Sequence, residues 1–137
     1  MPDRFFATQT FAHKLMTSTG NAFQDLFYRL MECTEPNFAP IRTQGSLGDR
    51  KCDGYIRSKG IFFQVFAPID LSGASTQKEA ISKLYEDFTK LYEHTCNGHW
   101  EEIKEFYYIV GDRGKGFYPD LEDALQQLKT DYPTISF

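Results

Sequence analysis

The segment spanning residues 45–68 reads GSLGDRKCDGYIRSKGIFFQVFAP and combines a glycine-rich loop with two β-prone runs. The two runs are separated by Lys59-Gly60, a pair that is typical of the turn of a β-hairpin. The second run, Ile61–Phe66, is almost entirely apolar, as expected of a central strand that is covered on both faces. The segment therefore predicts two antiparallel strands, the second of which lies inside a larger sheet.

Periodic patterns on both sides of this segment predict helices and further strands. Apolar residues at helical spacing indicate helices, and short β-prone runs indicate strands. The predicted elements, in chain order, are an N-terminal arm or short helix within residues 1–18, a helix from residue 21 to before Pro36, strands over 41–44, 55–58 and 61–66, a helix from a Thr76–Glu79 capping box to near Asn97-Gly98, a strand over 105–110, a helix with Asp120 as N-cap that ends before Pro133, and a strand over 134–137. This α-β-β-β-α-β-α-β order predicts one three-layer α/β domain with a mixed sheet over residues 1–137.

Composition limits the class of protein. The chain has 137 residues, of which 41% are hydrophobic and 25% charged, so it can form one globular domain with a core. Its apolar runs are shorter than the roughly 20 residues of a membrane helix, and its first residues lack the apolar core of a signal peptide. The three cysteines have unrelated spacings, which suits a reducing compartment. The sequence thus predicts a soluble, cytoplasmic domain with no membrane partner.

Positive charge is concentrated in the glycine-rich region. The formal net charge is -4, yet residues 42–59 contain five basic and only two acidic side chains. One basic segment in an acidic protein suits a local phosphate contact, but not general coating of nucleic acid. The predicted nucleic-acid-binding residues are Arg42, Arg50, Lys51, Arg57 and Lys59.

Three polar residues of the same segment are candidates for a metal site. Asp49 and Asp53 lie in the loop, and strand alternation can direct Gln64 to the same side. Carboxylate and amide oxygens held at strand ends can bind a divalent cation. Alternatively, the two aspartates only make turn contacts beside neighbouring glycines. The residues alone leave both interpretations open.

The element order and these motifs resemble the PD-(D/E)xK restriction-endonuclease-like fold, in particular its Mrr-like branch. The matching stretches are Phe23-Gln24 in the first long helix, the loop at 48–54 and Gln64 in the strand. In that branch a helix Glu, a loop Asp and a strand Gln help to hold Mg²⁺, and a strand Lys assists the attacking water. The resemblance implies Mg²⁺ as the only cofactor, with Asp53 and Asp49 as metal ligands and with Asp53, Gln64 and Gln24 as catalytic positions.

Two positions depart from the family pattern. Gln24 stands where the family has the helix Glu, and Phe66 stands where it has the strand Lys. A phenylalanine side chain can neither activate a nucleophile nor stabilise developing charge. Lys51 is the candidate replacement in the loop, together with Arg50 and Lys59. These departures imply a nuclease-like domain that is non-canonical or catalytically silent.

A more extensive resemblance covers nearly the whole chain. AFQDLFYRLM at 22–31, the loop segment and FFQVFAP at 62–68 are similar to the C-terminal modules of prokaryotic ABC-three-component conflict systems. This resemblance implies a module of a prokaryotic defence or mobile-element system that binds nucleic acid or a partner protein through residues 45–60. Two alternatives remain open: an Mg²⁺-dependent DNA endonuclease that uses Asp53 and Gln64, and a pure protein-interaction domain.

Overall fold

A computed structural model describes most of the chain, namely residues 4–18, 20–40, 53–56, 58–68, 74–98, 101–111 and 119–137. These residues form four helices and a four-stranded sheet. The elements are α1 (Arg4–Thr17), α2 (Gly20–Thr34), β1 (Phe38–Pro40), β2 (Gly54–Ile56), β3 (Ile61–Phe66), α3 (Ala74–Cys96), β4 (Glu105–Val110) and α4 (Pro119–Asp131). None of the described helices is long and apolar enough to span a membrane.

The sheet is mixed, and its strands are ordered β1-β2-β3-β4. β1 pairs with β2 and β2 with β3 in antiparallel fashion, whereas β3 and β4 are parallel. Tyr55 faces Phe62 across the β2–β3 hairpin, and Gln64 faces Tyr108 across the parallel pair. The predicted hairpin, the mixed sheet and the central position of β3 are therefore confirmed.

Alternating side chains of β3 enter two separate cores. The larger core joins β3 and β4 to α3 and α4, and it contains Phe62, Phe66, Ala80, Leu84, Phe88, Leu91, Ile103, Phe106, Tyr108, Leu121, Ala124, Leu128 and Ile135. The smaller core joins the sheet to α2, and it contains Phe23, Phe27, Tyr28, Phe38, Ile56, Phe63 and Val65. Helices therefore cover β3 through both sets of its side chains, which explains why this strand is apolar almost throughout.

Several predicted boundaries are wrong. α3 begins at Ala74, so Thr76 lies within the first helical turn and does not cap the helix. α4 begins at Pro119, a residue whose fixed φ and missing N–H suit the first helical position, and Asp120 therefore lies inside the first turn. The predicted last strand is reduced to one parallel bridge between Glu105 and Ser136.

Other boundaries are confirmed or shifted slightly. The N-terminal arm is a helix, and β3 and β4 have the predicted bounds. α3 ends just before Asn97 and Gly98, and the positive φ of Gly98, 79°, explains why glycine follows this helix. β2 spans Gly54–Ile56 rather than 55–58, and β1 lies at Phe38–Pro40. The strand predicted at 41–44 lies outside the described residues.

Candidate functional site

The Asp53 side chain connects α2 to β3. One carboxylate oxygen, Oδ2, accepts a hydrogen bond of 2.7 Å from the backbone N–H of Val65. The other, Oδ1, accepts a bond of 2.8 Å from Nε2 of Gln24. Hydrogen bonds to an ionised carboxylate are stronger than bonds between neutral groups, so these two contacts hold the carboxylate in one orientation.

The backbone of Asp53 is fixed in the same way. Its N–H donates to the carbonyl of Phe63 at 2.8 Å, and its own carbonyl accepts from the Tyr28 hydroxyl at 2.8 Å. Continuing the β2–β3 register by one residue places Asp53 beside Gln64. The aspartate is thus positioned by backbone and side-chain contacts to rigid elements, as a binding group should be.

α2 brings Gln24 to this position. Its buried face, which includes Phe23 and Phe27, packs against the sheet, and Gln24 follows Phe23 at the margin of that contact. The first residue of the helix, Gly20, donates its N–H to the carbonyl of Ala67 at 2.8 Å, just beyond the end of β3. The start of the helix is therefore tied to the strand end where Gln64 lies.

Gln64 is the most unusual polar residue of the sheet. Only 3% of its surface is exposed, and it alternates with Phe62 and Phe66 on the side of β3 that faces α3. Among the described residues, its buried Oε1 has no hydrogen-bond partner. A buried acceptor in this condition costs about 1–3 kcal/mol, so the arrangement favours a ligand that supplies a donor or a cation.

These side chains line one polar cavity of about 300 Å³. Elements from three parts of the fold meet here: α2, the hairpin and α3. Among the described residues, the polar side chains at the cavity are Asn21, Gln24, Asp53, Gln64 and Lys83. The structure therefore brings together three residues that the sequence predicted, and it adds a lysine from a helix that the sequence analysis treated only as part of the core.

Lys83 is held in an ion pair with Asp87, one helical turn later on α3. The Nζ–Oδ2 distance is 3.1 Å, and the exposed fractions of the two side chains are 37% for Lys83 and 8% for Asp87. No motif marks this lysine, although its neighbour Leu84 belongs to the apolar stripe of the helix. Its position at the cavity follows from how α3 lies across the sheet, which sequence patterns do not specify.

Tyr108 is a buried residue near the cavity, and its side chain remains a neutral phenol. Burial raises its pKa far above the ordinary value, and the negative charges of Asp87, Glu79 and Asp53 add to this effect. Its hydroxyl donates to the carbonyl of Ala80 at 3.0 Å. Tyr108 therefore supports the helix as a hydrogen-bond donor and is not available as a base at neutral pH.

Of the remaining predicted site residues, Lys59 is the one that the structure describes, and it is not among the residues that line the cavity. Lys59 is exposed in the turn between β2 and β3. The other five, Asp49, Lys51, Arg42, Arg50 and Arg57, lie outside the described residues, and their roles stay predictions.

The donor set suits a hydrated divalent cation. Within the described part of the chain, no three His, Cys, Asp or Glu side chains form a metal-binding group. However, Mg²⁺ commonly binds one or two carboxylates and keeps several water ligands. Asp53 places a carboxylate at the cavity, and the buried Oε1 of Gln64 has no hydrogen-bond partner among the described residues. Asp53 and Gln64 are therefore the residues that would hold such a cation.

No family model, curated protein or solved structure matches this chain. The chemistry of the cavity is therefore what the structure contributes to a functional proposal.

Replacing Gln64 by methionine is expected to stabilise the protein by about 1 kcal/mol, because a side chain of similar size then fills the site without the buried Oε1 acceptor. Urea unfolding measures this change. Gln126 is exposed on α4, and Gln126→Met should alter stability by less than about 0.5 kcal/mol. A clear loss of stability in Gln64→Met alone would contradict the assignment of Gln64 as a residue kept for a ligand.

Proposed function

We propose that the protein is a nuclease-like module that binds nucleic acid together with a divalent cation at the cavity between α2, β3 and α3. The observation that carries this proposal is the convergence of Gln24, Asp53 and Gln64 with Lys83 in one polar cavity. The proposal includes the three-layer restriction-endonuclease-like fold. Helices that pack against both sets of β3 side chains support that part of it.

Four polar side chains of the cavity have a role in this proposal. Asp53 and Gln64 would hold the cation, and Gln24 keeps the Asp53 carboxylate oriented through its amide. The Lys83 ammonium supplies a positive charge at the same cavity, where it would contact a phosphate oxygen of the bound strand. A bound Mg²⁺ would supply further positive charge and Lewis-acid polarisation of that phosphate.

The wider role follows from the resemblances in the sequence. The basic residues of the 42–59 region would extend the phosphate contacts beyond the cavity. We assign the domain to a prokaryotic defence or mobile-element system, in which a partner protein would join it to the rest of the machinery. A pure protein-interaction domain is the competing hypothesis, and it predicts no nucleic-acid binding at all.

Phosphodiester hydrolysis is a second candidate function, and Lys83 is the observation that favours it. Phe66 occupies the family's lysine position, but its ring is buried and stacks with Tyr108 at a centroid distance of 6.2 Å. Lys83 brings an ammonium to the same cavity from α3 instead. In hydrolysis this ammonium would stabilise the negative charge that develops on the phosphoryl oxygens.

Lys83→Met is expected to weaken binding of a short fluorescein-labelled DNA duplex in Mg²⁺ buffer by about tenfold, because one phosphate contact is lost. The slope of log affinity against log salt concentration should fall by about 1. Fluorescence anisotropy at several salt concentrations measures both quantities.

Lys90→Met is the matched control for Lys83→Met. Lys90 is on the same helix and is also in an ion pair, with Glu86, but it does not line the cavity. Equal binding by wild type and Lys83→Met would contradict the proposed site.

Incubation of the same samples with Mg²⁺ or Mn²⁺ tests hydrolysis: cleavage by wild type and Lys90→Met, but not by Lys83→Met, would establish the second candidate.

A further inference from the structure

α3 contains two ion pairs of the same spacing and length but very different surroundings. Lys83 and Asp87 are 3.1 Å apart, and so are Glu86 and Lys90. The second pair is exposed, with side-chain exposures of 57% for Glu86 and 48% for Lys90. In the first pair, the Asp87 side chain is only 8% exposed. We propose that Asp87 is a positioning residue that fixes the Lys83 ammonium at the cavity for phosphate recognition, an inference that rests on the proposed function.

Helix stability alone does not explain the buried pair. An i,i+4 pair stabilises a helix more when the acidic residue precedes the basic one, because that order suits the helix dipole. Glu86 and Lys90 have this favourable order, whereas Lys83 and Asp87 have the reverse order. Helix stability is enough to explain the exposed pair of Glu86 and Lys90. The buried pair of Lys83 and Asp87 needs another explanation.

Burial makes Asp87 an effective positioning group. A carboxylate that is removed from water requires a charged or hydrogen-bonding partner, so Asp87 holds the Lys83 ammonium more firmly than an exposed partner would. A free lysine side chain has four rotatable bonds and loses much entropy when it binds a phosphate. Because Asp87 has already ordered Lys83 in the free protein, that loss on binding is smaller.

Removal of the Asp87 charge changes binding affinity in opposite directions under the positioning role and under its simplest alternative. If Asp87 only competes with phosphate for the Lys83 ammonium, then removing its charge frees the lysine and tightens binding. If Asp87 positions Lys83, the same removal disorders the lysine and weakens binding. Net charge alone also predicts tighter binding, since a negative charge near the phosphate disappears. Of these three effects, positioning is the one that predicts weaker binding by the intact fold.

The test is a double-mutant cycle with the fluorescein-labelled duplex as probe. Asp87→Asn is expected to weaken binding by about two- to tenfold, and to have no weakening effect when Lys83→Met is already present. Glu86→Gln, the control on the exposed pair, should leave affinity unchanged. Unchanged or tighter binding by Asp87→Asn, with Lys83→Met still weakened, would overturn this inference and leave the proposed function intact. Equal binding by Lys83→Met and wild type would overturn the proposed function itself.

Two further measurements keep the test decisive. The ¹⁵N NMR signal of the Lys83 ammonium should be observed in the wild type and lost in Asp87→Asn, a change that loss of helix stability would not produce while the fold is intact. If Asp87→Asn does not fold, Asp87→Glu replaces it, because this variant keeps the charge but moves the carboxylate by one methylene. The positioning role predicts weaker binding for Asp87→Glu, and unchanged affinity there would refute it.

Discussion

Replacing Asp53 by alanine is expected to lower the free energy of unfolding by about 3 kcal/mol, because its carboxylate accepts two hydrogen bonds that join different elements. The variant leaves the Gln24 amide and the Val65 N–H without these bonds in a partly buried region. The attachment of α2 to the end of β3 is weakened as a result. Urea unfolding measures the change, and the same variant should lose cation binding, since the carboxylate that would hold the ion is gone.

Asp25 provides the matched control for this variant. It is one residue beyond Gln24 on α2, but it is exposed and lies outside the Asp53 cavity. Asp25→Ala should change the free energy of unfolding by less than about 0.5 kcal/mol. Equal, small losses for Asp53→Ala and Asp25→Ala would show that the Asp53 contacts do not organise the site.

Gly60→Ala is expected to destabilise the fold by about 3 kcal/mol, since it combines backbone strain with a steric clash. Gly60 has a φ of 65°, a conformation that side-chain-bearing residues rarely adopt. A Cβ here would collide with the Glu102 carbonyl oxygen and approach the Lys104 backbone nitrogen to 3.2 Å. The Gly60 carbonyl also accepts hydrogen bonds from the N–H groups of Lys104 and Glu105, so the clash would disturb the start of β4.

Gly98→Ala introduces backbone strain without a steric clash, so it separates these two contributions to the effect of Gly60→Ala. Gly98 also has a positive φ, 79°, but a Cβ there would meet no described atom within 4 Å. The left-handed conformation alone costs about 1–2 kcal/mol, so Gly98→Ala should be clearly milder than Gly60→Ala in thermal or urea unfolding. Equal losses in the two variants would contradict the close packing of Gly60 against the 102–104 segment.

The central part of the fold was predictable because its signals are local. Ile61–Phe66 is apolar except for Gln64, and Glu105–Val110 is rich in aromatic and β-branched residues. Lys59-Gly60 marks the turn between β2 and β3. The closing segment at 134–137 was predicted as a strand on similar grounds. It forms only one bridge, because the pairing of an edge segment depends on tertiary contacts that local propensity does not determine.

The candidate site was predictable only in part, because some of its residues are brought together by tertiary packing alone. Asp53 and Gln64 were found from the glycine-rich loop and from strand alternation, and Gln24 was found through the resemblance to the restriction-endonuclease-like family. Lys83 carried no such signal, and no pattern in the sequence indicated that Asp87 would pair with it. Their contribution depends on the orientation of α3 over the sheet and on the burial of a single carboxylate, both of which are properties of the packed structure.

Calorimetric titration of Mn²⁺ into the wild type and into Gln64→Met tests the central claim most directly. Gln64→Met is expected to be the more stable protein, so a loss of binding in it cannot be ascribed to unfolding. The proposed site predicts a single-site binding isotherm for the wild type and none for Gln64→Met, with Gln126→Met binding as the wild type does. Absence of Mn²⁺ binding by the wild type, or equal binding by Gln64→Met, would contradict a cation site at Asp53 and Gln64.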